Sequence, residues 1–191
     1  MLPIVDPLRE LPADLRFLLE RYPRESWADH ANLGTLARFW LQRHAMFRDL
    51  TTLLDGGVAA LREGQVEPVA FRDWFAPRVR FLLQQLEAHH QIEDRRYFPV
   101  FRRAEPRLGE GFDLLEGDHV ALDGMIAELA RTGNLLLASL AGVPETRLQA
   151  AHRHAEASAS LLRALRRHLD DEEDLIVPLI LERSEEGLGV A

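Results

Sequence analysis

The chain has 191 residues, 47% of them apolar, and a formal net charge of −8. That is enough for one domain with a substantial core, too apolar for a disordered chain, and too acidic for a nucleic-acid footprint. It contains no cysteine and no lysine, which excludes disulfides, thiolate nucleophiles, iron–sulfur and Cys-zinc sites, Schiff-base chemistry and a phosphate-loop lysine.

Residues 1–30 carry Pro3, Pro7, Pro12 and Pro23 and read as an N-terminal arm with a short helix near residues 14–21. The opening MLPIVDPLRE has neither the charged nor the apolar region of a secretory signal. The longest apolar run, around residues 135–140, falls far below the ~20 residues of a membrane span. A cytoplasmic location without a membrane or nucleic-acid partner is the expectation.

Four long segments with helical periodicity follow, and none shows the alternation of a strand. The first carries Leu33, Leu36, Trp40, Phe47, Leu50, Leu54, Val58 and Leu61 on one stripe, with His44 inside it. This pattern continues through Gly56 and Gly57, so the helix is expected to run on there. The second carries Phe71, Phe75, Val79, Leu82 and Leu86, then His89, Glu93 and Tyr97. In the third, Phe112, Leu115, Leu122, Ile126 and Leu129 surround His119, and in the fourth, Leu161, Leu165, Leu175 and Leu179 surround His168 and Glu172. Turn signals at residues 64–68, 105–111 and 142–144 separate them. The expected fold is all-α: an up-down-up-down four-helix bundle over residues 31–183, between the N-terminal arm and a tail of residues 184–191.

One pattern occurs twice. His89 and Glu93 form an H-x-x-x-E, with Asp94 next and Pro99 six residues after Glu93; His168 and Glu172 form another, with Glu173 next and Pro178 six after Glu172. Upstream of each copy stands a lone histidine, His44 and His119. A His and a Glu at i and i+4 project from one helix face. About 18 residues lead from His44 to the first turn and from that turn to His89, and the other connections balance equally well, so all four histidines fall at one level of the bundle. Four imidazoles and two carboxylates at one level suit a pair of transition-metal ions. In that reading His44 and His89 serve one ion, His119 and His168 the other, and Glu93 and Glu172 reach across the axis to bridge them. The competing reading is a set of His–Glu ion pairs in a metal-free bundle.

Around these six, His90 points ~100° away from His89, so an edge role and ligation are both open. Asp123 either supplements the site or orients His119. Asp94 and Glu173 are read as solvent-facing or as supports behind a ligand, with Glu173 also competing with Glu172 for the ligand position. Tyr97 either borders the site or packs. His154 lies on the stripe of the fourth segment but ~21 Å before His168 and is excluded; His30 and His152 read as ordinary surface residues.

The pieces RHAMF around His44, HHQIEDRRYFP around His89 and Glu93, GDHVALD around His119 and RHLDDEEDLIVP around His168 and Glu172 resemble hemerythrin-like proteins of the HHE cation-binding type. The resemblance implies a four-helix bundle holding two iron ions, bridged by carboxylates and an oxo or hydroxo group, with other divalent metals possible. By the resemblance, His44, His89, His119 and His168 are iron ligands and Glu93 and Glu172 bridges. It also implies binding of dioxygen or a related diatomic or peroxide ligand. Oxygen-carrying members have two histidines one turn apart on the third helix, and here the second position is Asp123, which leaves room for redox chemistry or for sensing of iron, oxygen or nitric oxide. A diiron binding protein is therefore the leading expectation, a diiron oxidoreductase acting on peroxide or nitric oxide the alternative, and a metal-free helical interaction protein the third.

Overall fold

A computed structural model describes residues 11–190 of the chain. Its elements in order are α1 (Phe17–Arg21), α2 (Thr35–Arg62), α3 (Pro68–Ile92), a π-helical turn (Glu93–Tyr97), α4 (Phe98–Ala104), α5 (Gly109–Ser139), α6 (Pro144–Arg183) and α7 (Glu185–Leu188). The described residues form no strand, and none of these helices is long and apolar enough to cross a membrane. The π turn joins α3 to α4 without a break, so α2, α3 with α4, α5 and α6 make the four rods of an up-down-up-down bundle. Around the axis α2 lies beside α3 and α6, and α5 beside α3 and α6.

The turn chemistry agrees with the sequence. Gly64 takes φ +70° after α2, and Gln65 N–H reaches back to the Ala60 carbonyl at 2.9 Å, which is how a left-handed residue closes a helix C-terminus. Pro68 and Pro144 stand at the first turns of α3 and α6, where a missing N–H costs nothing. The short helix expected near residues 14–21 is divided by Arg16 into a 3-10 turn (Ala13–Leu15) and α1. At the other end, α2 starts after Gly34 with no side-chain cap of its own. Instead Glu185 Oε1, from α7, accepts the N–H of Ala37 at 2.9 Å, placing a carboxylate at a helix N-terminus.

As the apolar pattern implied, α2 passes through Gly56 and Gly57 unbroken. The two glycines differ in surroundings: a Cβ at Gly57 would overlap the Trp74 ring of α3, whereas a Cβ at Gly56 meets nothing. Gly56→Ala should therefore stabilise the chain by about 0.5–1 kcal/mol through helix propensity. Gly57→Ala should destabilise it by about 1–3 kcal/mol as the helices are forced apart. Urea denaturation of the two variants checks the opposite signs.

The core consists of two apolar clusters. One, built on Phe47, Phe75, Leu82, Leu86, Leu122, Leu136 and Leu165, fills the half of the bundle nearer the α2–α3 and α5–α6 turns. The other contains Trp40, Phe98, Phe101, Phe112, Leu115, Leu175 and Leu179 and also takes in Leu11, Leu15 and Leu18 of the N-terminal segment. Each fully buried Leu or Phe contributes roughly 1.5–3 kcal/mol. Between the clusters lies a layer of buried polar side chains: His44, His89, His90, Glu93, His119, His168 and Glu172.

Candidate metal centre

Each rod contributes one face to that layer. On α2, Trp40, His44 and Arg48 stand at i, i+4 and i+8 and so share a face. His89 comes from the end of α3, and Glu93 opens the π turn. His119 comes from α5; His168 and Glu172 come from α6. The two H-x-x-x-E copies are locally different. Glu172 lies in uninterrupted α-helix, with Pro178 inside α6, while Glu93 begins a widened turn and Pro99 falls in the first turn of α4. Widened turns of this kind are rare and concentrate at functional sites.

The six side chains meet in two histidine pairs. His44 Nε2 lies 3.1 Å from His89 Nε2, and His119 Nε2 lies 3.1 Å from His168 Nε2. Glu93 spans the pairs, with Oε1 2.9 Å from His89 Nδ1 and Oε2 3.5 Å from His119 Nε2. Glu172 spans them too, its Oε2 being 3.6 Å from His44 Nε2 and 3.4 Å from His168 Nε2. One donor atom each from His44, His89, Glu93 and Glu172 falls within 4.8 Å of the others, and the same holds for His90, His119 and His168.

Burial lowers the His89 pKa to about 3, helped by His119 and Arg43, and pushes His168 well below the usual imidazole range. Both imidazoles are therefore neutral at pH 7, the form that ligates. Burial also pushes the Glu93 and Glu172 carboxyls well above their usual range, and the charge of Glu93 raises Glu172 further. Both Glu93 oxygens, Glu172 Oε2 and His168 Nδ1 are buried without a hydrogen-bond partner; the His89–Glu93 contact is short but out of line. A buried polar atom left unpaired costs about 1–3 kcal/mol. Cations between the pairs would satisfy the three unpaired carboxylate oxygens, so the donor set fits a dinuclear metal group.

Polar groups behind His44 and His119 hold them in place, and a carboxylate stands behind His168 beyond hydrogen-bond distance. His44 Nδ1 lies 3.0 Å from Glu173 Oε1. Arg48 and Arg24 donate to the same carboxylate at 2.8 and 2.9 Å. Burial acts to raise the Glu173 pKa, but the hydrogen bonds from His44 and Arg48 outweigh it and hold it at about 2. His119 Nδ1 lies 2.7 Å from Asp94 Oδ1. His168 Nδ1 lies 3.7 Å from Asp118 Oδ2, a carboxylate that Arg167 also grips at 2.5 Å. Trp40 Nε1–H donates to Glu172 Oε1 at 2.5 Å.

Several expectations are redistributed by this geometry. Asp123 does not reach His119: its carboxylate is 66% exposed and 3.8 Å from His90 Nδ1, because Asp94 from the facing rod already occupies His119 Nδ1. Glu173 lies behind His44, at its Nδ1, between Arg24 and Arg48, since one residue beyond Glu172 is a rotation of ~100°. His90 is buried and stacked on His119, ring centroids 4.2 Å apart. Tyr97 borders the centre, 5.0 Å from the Trp40 ring. His154 lies outside the centre, its Nδ1 3.0 Å from Thr132 Oγ1 and its ring edge-on to Phe75. Sequence reasoning missed Trp40, Arg48, Arg24 and Asp118. The i, i+4, i+8 spacing of Trp40, His44 and Arg48 was a usable signal for the first two.

Two spaces open beside the layer. A cavity of about 190 Å³ between α2 and α3 is lined by Leu36, Phe39, Trp40, Arg43, Ile92 and Tyr97 and reaches His89 and Glu93. On the opposite side of α3, facing α5, a groove of about 370 Å³ is lined by Glu87, His90, Gln91, Asp94 and Asp123.

No curated protein and no solved structure matches the chain significantly. A family model does match, the hemerythrin HHE cation-binding domain, over residues 35–180. That span starts with α2, ends within α6 and contains all six residues of the paired arrangement, and on it the chain belongs to the hemerythrin HHE cation-binding domain family.

Proposed function

We propose that the chain is a non-haem diiron protein that binds dioxygen or a related small ligand. His44 and His89 hold one ion, His119 and His168 the other, and Glu93 and Glu172 bridge them. The observation that carries this reading is that each glutamate approaches one histidine of both pairs. An all-nitrogen-and-oxygen donor set without thiolate suits iron, and two ions held by facing helices of a bundle are a known solution for it. When bound, the two irons supply reversible binding or redox chemistry toward a small ligand.

The chain's own residues prepare the site. Glu173, ionised by its arginines, fixes the Nδ1–H tautomer of His44 and turns the Nε2 lone pair toward the centre. The Trp40 N–H leaves Glu172 Oε2 free to face both pairs. The lining of the α2–α3 cavity is mostly apolar and so favours an uncharged diatomic over water. A second reading, an oxidoreductase acting on peroxide or nitric oxide, is favoured by the oxidisable rings of Trp40 and Tyr97 beside the centre.

Reconstitution with ferrous iron under anaerobic conditions, followed by elemental analysis, is expected to give two ions per chain. Admission of oxygen should then produce a visible absorption that zinc-loaded protein lacks. One ion or none sinks the diiron reading, and a chain that accepts only zinc loses the redox chemistry with it. Catalytic turnover of added peroxide would favour the second reading over the first.

A further inference from the structure

The six bridging and paired residues leave one buried imidazole over. His90 is 3% exposed, and neither of its ring nitrogens has a hydrogen-bond partner. Its ring stands between the buried histidine layer and the α3–α5 groove. On the inner side it stacks on His119 and stands edge-on to His168, with ring centroids 5.7 Å apart for the latter. On the outer side it lines the α3–α5 groove together with Glu87, Asp94 and Asp123.

The two spaces differ in charge. Three carboxylates and no arginine line the groove, whereas the α2–α3 cavity has Arg43 in its wall and apolar side chains around it. A cleft lined by one sign of charge raises the local concentration of the opposite ion and its rate of entry. The groove therefore attracts a divalent cation and the cavity does not. Asp94 is engaged with His119 Nδ1 and Glu87 accepts from the Gln91 amide at 3.3 Å; both contribute charge, and Asp123, 3.8 Å from His90 Nδ1, is the carboxylate that stands beside the buried imidazole.

We propose that the groove between α3 and α5 is the port through which divalent cations enter and leave the centre, with the exposed Asp123 carboxylate and the buried His90 imidazole as the transfer station. This deepens the dinuclear reading and rests on it. A hydrated ion exchanges one water for the Asp123 carboxylate and another for a His90 nitrogen. It then passes to His119 and His168, whose donor atoms are within 4.8 Å of that of His90. Every step is an exchange of one ligand for another, with no change of oxidation state. The ion enters on one side of α3 while the small ligand uses the cavity on the other.

The test follows anaerobic uptake of ferrous iron by the full metal-free chain, and its release to an excess of chelator. The variants are His90→Phe, which keeps the stacked ring but removes both nitrogens, the double variant Glu87→Gln/Asp123→Asn, and Ala88→Trp, which fills space in the α2–α3 cavity that Ala88 also lines, on the opposite side. His90→Phe and the double variant should both take up iron at least about tenfold more slowly and still reach the parent's end point. Both should also release iron more slowly, since a port serves both directions, whereas a merely weakened site releases faster. The double variant should lose most of the ionic-strength dependence of uptake, and Ala88→Trp should load like the parent. Parental uptake rates in the groove variants, faster release, loss of one ion at the end point in His90→Phe, or slowed loading in Ala88→Trp would each overturn the port. The parent's own end point separately tests the dinuclear reading, which fails if fewer than two ions are bound.

Discussion

His168→Ala and Glu172→Gln are each expected to leave the chain with at most one iron ion, while His154→Ala should keep the parent's full complement. His168 is fully buried and its Nε2 faces His119 at 3.1 Å, so truncation removes half the imidazole donors of one pair. Glu172 approaches both pairs at once, and its amide analogue has no charge to offset two cations. His154 is just as buried, but it is satisfied by Thr132 and packs against Phe75. Losing that contact should destabilise the fold by about 1–3 kcal/mol without touching the metal. Elemental analysis after anaerobic reconstitution reads the difference directly. An empty centre in His154→Ala, or parental metal content in Glu172→Gln, would defeat the assignment of ligands.

Glu172→Gln should also reverse the sign of its effect on stability between the metal-free and loaded forms. In the metal-free chain the Glu172 carboxyl is raised well above 4.5 by burial and by the charge of Glu93. A carboxyl whose folded pKa exceeds its unfolded pKa binds more protons when folded. Its contribution to stability is therefore present in acid and is lost as pH rises above about 4.5, through the folded pKa. The amide does not titrate and can still accept the Trp40 N–H. The metal-free variant should then match the parent near pH 4 and exceed it by more than about 1 kcal/mol at pH 7. With metal the order inverts, because the parent gains about 2.7 kcal/mol from ions at a hundred times their dissociation constant and the variant does not. Thermal and urea denaturation with and without iron, from pH 4 to pH 8, would show the crossing. A variant that destabilises both forms equally would mean that Glu172 is a packing residue.

Much of this was legible in the chain itself. The apolar stripes defined four rods and carried α2 through Gly56 and Gly57, and glycine and proline marked the turns that end α2 and open α3 and α6. The H-x-x-x-E copies and the lone histidines shared that periodicity, so counting residues along a fixed helical rise put them at one level. Periodicity reports only which face of its own helix a residue occupies. That is enough to bring His44, His89, Glu93, His119, His168 and Glu172 together, because all six sit where their own helices bury apolar residues.

The tertiary structure decided what depends on a partner from elsewhere in the chain. Glu173 and Glu172 are neighbours in sequence, and what separates them is Arg24, 149 residues away, and Arg48, 125 residues away, pulling one carboxylate outward. Asp123 was the residue expected to orient His119 or supplement the site, with Asp94 read only as solvent-facing or as a support behind a ligand, and the approach of the π turn gave the contact to Asp94. That turn widens the helix at one Glu copy and not at the other, although both motifs read alike. The cap of α2 comes from Glu185, 148 residues from the N–H it accepts. In each case the composition of a short window is compatible with either outcome, and the free energy that selects one comes from desolvated charge pairing and packing between segments brought together only by the fold.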